Sequence, residues 1–325
     1  MLRLPNDGAA TGTPIDQVLT GTGPAAITLA IANALPALAD RLAAGRLHGD
    51  PEAIVGTNDS GDQQKALDVG AHEHILAALR GTGVARVLSE EAEEICVLDP
   101  EGAWDVAMDP IDGSGSIGIG APLGLLYTIL PAGGPDSFLR PSSAVVAAGY
   151  ASFGHSCDFG FSLGAGLHIA TLDRELGQFR IARENVTMKS ASSSVAYNAS
   201  NERHWGPGLK AWVADMRAGK DGPMGKNFNM RWLGAAVGDL HRILLKGGVF
   251  LYPADGRPGY EQGRLRLLYE AAPMAFIVEQ AGGRASDGHR PISEIVPTAP
   301  HQHCALIFGA ADEVALIEKY IAEAG

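Results

Sequence analysis

The clearest chemical signal in this sequence is the segment Asp109-Pro110-Ile111-Asp112-Gly113-Ser114, which follows the apolar residues 106–108. Pro110 has no N–H to give to a strand ladder, so we expect a strand to end there and the two carboxylates to converge on a turn. Gly113 permits a left-handed backbone, and Ser114 offers a hydroxyl and an N–H to an anion. Carboxylate oxygens beside bound phosphate suit Mg²⁺. The segment therefore favours a metal and phosphate site over a solvated Asx turn.

Other acids strengthen this interpretation. Glu90 and Glu91 follow the apolar residues 84–88, and Asp68 and Glu270 lie inside apolar stretches. An unpaired acid is costly to bury. Taken singly, each of these acids is better explained by an ordinary ion pair.

Composition bounds the class of protein. The chain has 325 residues, 46% hydrophobic and 19% charged, which is typical of about two globular domains. Its 25 basic and 37 acidic residues give a net charge of −12, which disfavours nucleic acid and anionic membranes as partners. Three scattered cysteines predict neither disulfides nor a zinc site. We find no secretory signal or membrane span in the sequence and expect a cytoplasmic location.

Hydrophobic periodicity places the motifs on elements. Residues 1–20 are polar and predict a mobile arm, and residues 188–200 predict a strand-like segment. Helices are predicted at residues 25–44, 66–80, 207–218, 235–246 and 268–281, with a last helix capped by Asp312. Strands are predicted at residues 104–108, 123–130, 144–153, 166–172, 179–181, 249–253 and 305–308. This mixture predicts an α/β fold, in the layered α+β sense, with two halves divided near residue 190.

Several further blocks occur in order between about residues 20 and 321. They are residues 61–69, 89–91, 109–114, 238–244, 247–253, 263–270, 273–276, 279–283 and 297–302. Together they resemble class I fructose-1,6-bisphosphatases, within the magnesium-dependent, lithium-sensitive sugar and inositol phosphatases. The resemblance implies a five-layer α-β-α-β-α sandwich. Residues 1–190 would form a metal- and phosphate-binding half, and residues 191–325 a sugar-phosphate-binding half.

The resemblance also implies a set of metal ligands. They would be Glu90, Asp109, Asp112 and Glu270, with the backbone carbonyl of Ile111. With Asp68 and Glu91 the site holds six carboxylates, about −6, and a sugar phosphate adds roughly −2. Two or three Mg²⁺ ions, or Mn²⁺ in their place, would balance this charge.

Catalytic and substrate-binding roles follow from the same resemblance. Asp68 and Glu91 would position and deprotonate the attacking water. The phosphate to be cleaved would lie against Asp112, Gly113, Ser114 and Gly115. Asn198, Tyr252 and Arg264 would hold the sugar and its second phosphate. Arg231 would reach a neighbouring subunit's site, which implies a homodimer or homotetramer.

The sequence departs from the family pattern near both phosphates. Ser114-Gly115-Ser116 replaces Ser-Ser-Asn, and Gly118 stands where an Asp is common. In the second half, Arg264 replaces a Lys and Trp232 a Tyr, while residues 199–201 lack the usual aromatic and acid. Sedoheptulose-1,7-bisphosphatase or dual activity therefore stays an alternative, and the sequence does not choose between gluconeogenesis and a carbon-fixation (Calvin) cycle.

The sequence disfavours two other functions. An inositol monophosphatase-like activity is disfavoured by the second-half residues available for a second phosphate. A sugar-phosphate-binding regulatory homologue is disfavoured because all six acids are present.

Among the histidines, His72 and His74 would point about 200° apart on a helix and form no metal site. His241 and His301 are expected to be hydrogen-bonded structural residues.

The sequence predicts weak or absent inhibition by AMP. The family's AMP site uses a Thr-Gly-Glu turn and a Lys-Tyr pair, but this chain has Thr20-Gly21-Thr22 and Ala103-Trp104. Titration of AMP into an activity assay checks this, and a micromolar inhibition curve would contradict it.

Overall fold

The computed structural model describes residues 5, 8, 11–57, 63–134 and 136–324. Gly61 and Asp62 of the first family block lie outside these residues. The helices are α1 Ile15–Val18, α2 Pro24–Ala43, α3 Ala66–Leu79, α4 Pro207–Ala218, α5 Ala236–Lys246, α6 Ala272–Gln280 and α7 Ala311–Ala324. The strands of the first half are β1 Ile54–Thr57, β2 Gln63–Lys65, β3 Val84–Ser89, β4 Cys96–Val97, β5 Trp104–Asp112, β6 Leu123–Pro131, β7 Ala147–Phe153, β8 Cys157–Ser162, β9 His168–Asp173 and β10 Gln178–Arg183. Those of the second half are β11 Ser194–Tyr197, β12 Asn229–Met230, β13 Val249–Tyr252, β14 Leu265–Arg266, β15 Arg284–Ser286, β16 His303–Cys304 and β17 Leu306–Gly309.

Two sheets organise the chain. The first has the strand order β10-β9-β8-β7-β6-β5-β3-β4, and the second has the order β12-β11-β13-β17-β15. In the first sheet only β3 and β5 pair in parallel, and the other neighbours are antiparallel. Its central strands are buried on both faces, which explains why β6 reads as a continuous apolar run.

Three separate hydrophobic cores define five layers. The first core packs α2 and α3 on one face of the eight-stranded sheet. The second core lies between the two sheets and contains α5 and α6. The third core packs α4 and α7 on the outer face of the five-stranded sheet. The predicted α-β-α-β-α sandwich is confirmed.

The strand that carries the two aspartates runs further than predicted. We expected it to end at Pro110, but β5 continues to Asp112. The parallel partner β3 ends its pairing at Met108, so Pro110 does not interrupt a ladder on that side. Against β6 the register shifts between Asp109 and Asp112, which is a bulge. Bulges re-aim side chains, and this one lies at the two acids.

The prediction of a mobile arm is wrong for residues 11–20. Ile15 and Leu19 are 1% and 2% exposed in the first core. The N–H of Ile181 donates to the carbonyl of Thr13 at 2.8 Å, which attaches this segment to the edge strand β10. The segment was predicted to be mobile because most of its residues are polar. Its two buried residues, Ile15 in α1 and Leu19 directly after it, lie four positions apart and so share one face.

Three smaller predictions also need correction. The strand β8 was not predicted, because Asp158 and Gly160 interrupt its apolar pattern. The predicted helix over 268–281 begins as a π turn over Leu267–Ala271 before α6. Asp312 lies inside the first turn of α7 and is not its cap.

Helix α2 is apolar for a structural reason. By length and composition alone it would pass for a membrane span. Its residues Ile27, Ile31 and Leu35 are fully buried against the first sheet and α3. Pro36 lies within it without ending it. Its composition therefore matches its place in the first core.

Replacing Ile15 by Ala should lower the free energy of unfolding by about 2–5 kcal/mol, because it removes buried methyl groups and leaves a cavity. Val18→Ala on the same helix is the matched control, since Val18 is 37% exposed. Urea unfolding of both variants measures the difference. Equal stability of Ile15→Ala and wild type would show that this segment is not part of the packed fold.

Candidate active site

Three carboxylates converge between the halves. Oxygens of Asp109, Asp112 and Glu270 lie within 4.8 Å of one another, and all three residues are buried. The two aspartates come from the end of β5, and Glu270 comes from the π turn before α6. Among the described residues, none of the three makes an ion pair with a cationic side chain. The arrangement concentrates negative charge at one point.

Backbone N–H groups aim the two aspartates. The N–H of Ile111 donates to Oδ1 of Asp109 at 2.9 Å. The N–H of Val237, in the first turn of α5, donates to Oδ2 of Asp112 at 2.8 Å. A carboxylate held through one oxygen keeps lone pairs on the other for a ligand. Ile111 itself is buried between the two acids, where the resemblance places a carbonyl ligand.

Glu270 is aimed by its own turn. The N–H of Arg266 donates to Oε2 of Glu270 at 2.5 Å. The π turn supplies the wider spacing that lets this side chain face the strand end, and such turns are frequent at functional sites. The Nη1 group of Arg266 donates to the carbonyl of His301 at 2.8 Å, which fixes the turn from outside.

Without a bound cation, the buried carboxylates of the cluster repel one another when they are ionised. Burial raises the pKa of Asp109 well above its usual range, and the charges on Glu90, Asp112 and Glu270 raise it further. Burial raises the pKa of Asp112 to about 6. Burial also raises the pKa of Glu270, with the charges on Glu90 and Asp112. A bound cation would reverse these shifts, so the residues fit a divalent metal with hard oxygen ligands.

Glu90 joins the cluster through Asp109. Burial raises the pKa of Glu90 to about 7, while a hydrogen bond with Asp109 and the charge of Arg266 oppose the rise. Glu90 follows directly after β3, the parallel neighbour of β5, and its N–H donates to the carbonyl of Met108 at 3.1 Å. The parallel pairing therefore brings Glu90 beside Asp109.

Asp68 lies in the first turn of α3 and is 4% exposed. Its Oδ1 atom is buried and has no hydrogen-bond partner among the described residues. Burial raises its pKa to about 6, and the charge of Lys65 opposes this rise. Its charge also raises the pKa of Glu90, so it lies within electrostatic reach of the cluster.

Glu91 is anchored through its backbone. Its N–H donates to Oγ of Ser89 at 3.3 Å, and its carbonyl accepts from Nε2 of Gln64 at 3.0 Å. Ser89 in turn is hydrogen-bonded to Nδ1 of His72 at 2.9 Å. Helix α3 and the strand before it therefore hold the position of Glu91.

The turn after Asp112 requires glycine. Gly113 has φ 85°, and a Cβ there would lie 2.7 Å from the Cβ of Ala235. Ser114–Ser116 then form one 3-10 turn, in which Gly115 is exposed. The turn therefore lies close to the start of α5.

A second group of polar side chains lies at the end of β13. Tyr252 is half-buried, and burial raises its pKa while the charge of Arg264 lowers it and that of Glu270 raises it. The charges of the exposed Arg264 and of Glu270 in the acid cluster therefore both act on the Tyr252 hydroxyl. The indole of Trp232 lies 6.4 Å from the Tyr252 ring.

Asn198 and Arg231 are less closely connected to the cluster. Asn198 follows β11 and caps the 3-10 turn Ala199–His204, accepting the N–H of Ser200 at 3.1 Å. Arg231 is exposed, and its Nη1 donates to Oδ1 of Asn229 at 2.9 Å. Within this chain Arg231 therefore bonds to its own strand β12.

Two family models together match most of the chain. The fructose-1-6-bisphosphatase N-terminal domain matches residues 47–184, and the C-terminal domain matches residues 188–322. This chain belongs to the fructose-1,6-bisphosphatase family. The sequence-based resemblance to that family is confirmed.

Curated relatives and solved structures agree with the assignment. The chain is 51% identical over 301 residues to the class 1 fructose-1,6-bisphosphatase of Brucella suis (strain ATCC 23445 / NCTC 10510), covering 90% of this chain and 88% of that protein. The Brucella abortus (strain S19) protein of the same name gives the same values. The fold superposes on Leishmania major fructose-1,6-bisphosphatase in its holo form with a TM-score of 0.88 and 28% identity, covering 96% of this chain and 100% of that one. The T-state of the Leishmania protein gives a TM-score of 0.85 and 27% identity, with coverage of 97% and 100%.

In this fructose-1,6-bisphosphatase fold, sequence reasoning missed two basic residues. Lys65, which directly precedes α3, donates through Nζ to the carbonyl of Ser114 at 2.7 Å and so connects α3 to the turn Ser114–Ser116. Arg266 offsets the charge on Glu90 and Glu270. Both residues lie inside the family blocks, a few positions from Asp68 and Glu270, and this nearness of a basic residue to an acid was the available signal.

The prediction that His241 and His301 are hydrogen-bonded within the fold is confirmed. His74 bonds through Nε2 to the carbonyl of Ala34 at 2.9 Å, on α2, whereas His72 bonds Ser89. His241 and His301 bond the hydroxyls of Tyr150 and Tyr269 at 2.9 and 2.8 Å. These four rings connect elements across the fold.

Asp112→Asn should raise the stability of the metal-free protein at pH 8 by about 1–3 kcal/mol, because it removes one like charge from the cluster and keeps an acceptor for Val237. Asp105→Asn on the same strand is the matched control, since Arg86 pairs with Asp105 at 2.9 Å and its loss should cost about 3–5 kcal/mol. Thermal unfolding with a chelator measures both. A loss of stability in both variants would contradict this prediction, because it would show that the carboxylates of the cluster do not repel one another at pH 8.

The raised pKa values of Glu90, Asp109, Asp112 and Glu270 predict how the stability of the metal-free protein changes with pH. Because the pKa of each acid is higher in the folded than in the unfolded state, the folded protein keeps protons that the unfolded protein has already lost. The contribution of the cluster to stability is therefore present below about pH 4 and is lost as the pH rises toward 7. With a chelator, this loss should be smaller in Asp112→Asn than in wild type. A loss of equal size in the two proteins would contradict the assignment to these acids.

Proposed function

We propose that this protein hydrolyses the 1-phosphate of fructose 1,6-bisphosphate, giving fructose 6-phosphate and inorganic phosphate, with Mg²⁺ as its metal. The observation that carries the proposal is the convergence of three buried acids, none of them in an ion pair within the described part of the chain, near the glycine turn and near Tyr252 and Arg264. Its relatives are named for the same reaction.

The proposed ligands are Glu90, Asp109, Asp112 and Glu270, with the carbonyl of Ile111. Their fit is supported by the raised pKa values of the four acids, because the charge of Arg266 offsets the rise only in part, at Glu90 and Glu270. Bound Mg²⁺ supplies positive charge that offsets the substrate phosphate and lowers the pKa of water. By resemblance we propose two or three ions per site, with Mn²⁺ as a substitute.

The chain's own residues supply positioning and proton transfer. We assign the cleaved phosphate to Asp112, Gly113, Ser114 and Gly115, where the N–H groups of the turn can donate to its oxygens. Asp68 is proposed to accept a proton from the attacking water at its unpartnered Oδ1 atom. Its pKa of about 6 lies close to neutrality, as general base catalysis favours. Glu91 is proposed to orient the same water.

The far end of the substrate is assigned to the second half. Asn198, Tyr252 and Arg264 are proposed to hold the sugar and its second phosphate. Arg231 is proposed to enter the site of a neighbouring subunit in a dimer or tetramer. The cytoplasmic location and the division of the chain at residue 190 also stay predictions.

Phosphate release from fructose 1,6-bisphosphate should depend on Mg²⁺. In Asp109→Asn it should fall by at least about 100-fold, since changes to groups that only support a metal already cost 10–100-fold. Asp312→Asn, an exposed acid of the outer helix α7, is the control and should keep wild-type activity. Sedoheptulose 1,7-bisphosphate is assayed in parallel to rank the two sugars. No release from either sugar by folded, metal-loaded protein would contradict the proposed function.

A further inference from the structure

The ring of His301 makes one hydrogen bond to each half of the chain. Its Nδ1 atom lies 2.8 Å from the hydroxyl of Tyr269, in the π turn Leu267–Ala271 of the second half. Its Nε2 atom lies 3.4 Å from the carbonyl oxygen of Glu93, between β3 and β4 of the first half. Neither Tyr269 nor His301 takes part in the roles proposed above.

The two partners fix the tautomer of this ring. A backbone carbonyl can only accept, so Nε2 carries the hydrogen and donates it to Glu93. Nδ1 is then an acceptor, and the hydroxyl of Tyr269 donates to it. Burial lowers the pKa of His301, against the rise due to its bond with Glu93, and the charge of Arg266 lowers it further. A neutral imidazole can thus accept from one half and donate to the other.

On the side of the second half, His301 is attached to the π turn by several contacts. Nη1 of Arg266 donates to the carbonyl of His301 at 2.8 Å, and the strands β14 and β16 pair next to this bond. Tyr269 is 0% exposed in the second core, and its ring meets the imidazole edge-on with 5.8 Å between the centroids. His301 is therefore fixed to the turn that carries Glu270.

On the side of the first half, the partner segment is residues 90–95, here called the acid loop. Its first residue is Glu90, whose N–H donates to a carbonyl of β5 at 3.1 Å. Its last residue, Ile95, packs against the second core. The bond from His301 holds the carbonyl of Glu93 between these two points.

The proposed metal ligands lie on both sides of this connection. Glu90 belongs to the acid loop and Glu270 to the π turn, and like charges on the two repel each other. The Tyr269 hydroxyl lies within electrostatic reach of both acids, because burial raises its pKa and the charges on Glu90 and Glu270 raise it further. A bond that joins the acid loop to the π turn opposes this repulsion.

We infer that His301 is a positioning residue for the metal site. By bonding Tyr269 and the carbonyl of Glu93, it holds the acid loop and the π turn at the separation in which Glu90 and Glu270 serve one metal site. The inference rests on the proposed function. Residues that orient metal ligands typically contribute 10–100-fold to metal affinity. Since His301 acts through the backbone of two segments, we expect a loss at the lower end of this range.

Calorimetric titration of Mn²⁺ into the metal-free protein tests the inference. His301→Ala removes both bonds and should weaken Mn²⁺ binding about tenfold. His301→Asn keeps an acceptor in the place of Nδ1, and His301→Gln keeps a donor in the place of Nε2. Each of these two variants should therefore retain part of the affinity that His301→Ala loses. Affinity equal to wild type in all three variants would overturn the inference.

A second tyrosine–histidine pair in the chain provides the matched control. Tyr150 is also 0% exposed, its hydroxyl lies 2.9 Å from Nδ1 of His241, and the two ring centroids lie 5.8 Å apart. Tyr150→Phe and Tyr269→Phe each remove one buried hydroxyl, so both should lower thermal stability by a similar amount. Only Tyr269→Phe should weaken Mn²⁺ binding. Equal weakening in the two variants would show a general loss of packing and would contradict the inference.

Two further measurements separate positioning from a general structural role. Adding Tyr269→Phe to His301→Gln should cost no further Mn²⁺ affinity, because both changes break the same bond. Calorimetric binding of fructose 6-phosphate should stay within about twofold of wild type in every variant, since none of the residues assigned to the sugar is altered. A parallel loss of sugar phosphate and Mn²⁺ affinity would overturn the inference.

The Mn²⁺ titration also distinguishes this inference from the proposed function, because it needs no hydrolysis. Weaker binding by the His301 variants supports the inference even if the wild type hydrolyses neither sugar. Unchanged binding overturns it while hydrolysis stands. If folded wild type binds no Mn²⁺, the metal site and the inference fail together. Should His301→Ala unfold, His301→Asn, His301→Gln and Tyr269→Phe decide the same question.

Discussion

Mutual repulsion among buried carboxylates is the constraint on which the rest of this structure depends. Asp109, Asp112 and Glu270 are held within 4.8 Å of one another although no cationic side chain of the described structure pairs with them. Burial and neighbouring charges raise their pKa values, so the folded chain stores unfavourable electrostatic energy at this point. Such an arrangement persists only where the surrounding packing overcomes it.

The layered architecture provides that packing. The three hydrophobic cores stack the two sheets and their helices so that the end of β5 and the start of α6 meet around the middle core. The N-terminal turn of α5 adds the N–H that fixes Asp112. Because the two aspartates end β5 and Glu270 lies in the π turn before α6, they cannot move away from Glu270 without disturbing the packing of these elements.

The two ends of the site differ in rigidity and in charge. At one end a glycine-rich turn, supported by Lys65, presents backbone donors. At the other end, long arginine side chains surround Tyr260 and Tyr252. A backbone turn holds its donors in one geometry, whereas exposed side chains can adopt several rotamers.

The sequence by itself determined the chemistry and much of the fold. The segment Asp109–Ser114 and the ordered blocks were sufficient to identify the family. Hydrophobic periodicity located most helices and strands. Both signals are local in the sequence. Sequence reasoning failed at Ile15, at Pro110 and at β8, where contacts between distant segments override a local pattern. The tertiary contacts determine which acids meet, that Lys65 supports the turn Ser114–Ser116, and that Arg257 and Arg264 lie over one ring. The physical reason is that convergence depends on strand pairing, a bulge and a π turn, and none of these is encoded in the spacing of the residues that they bring together.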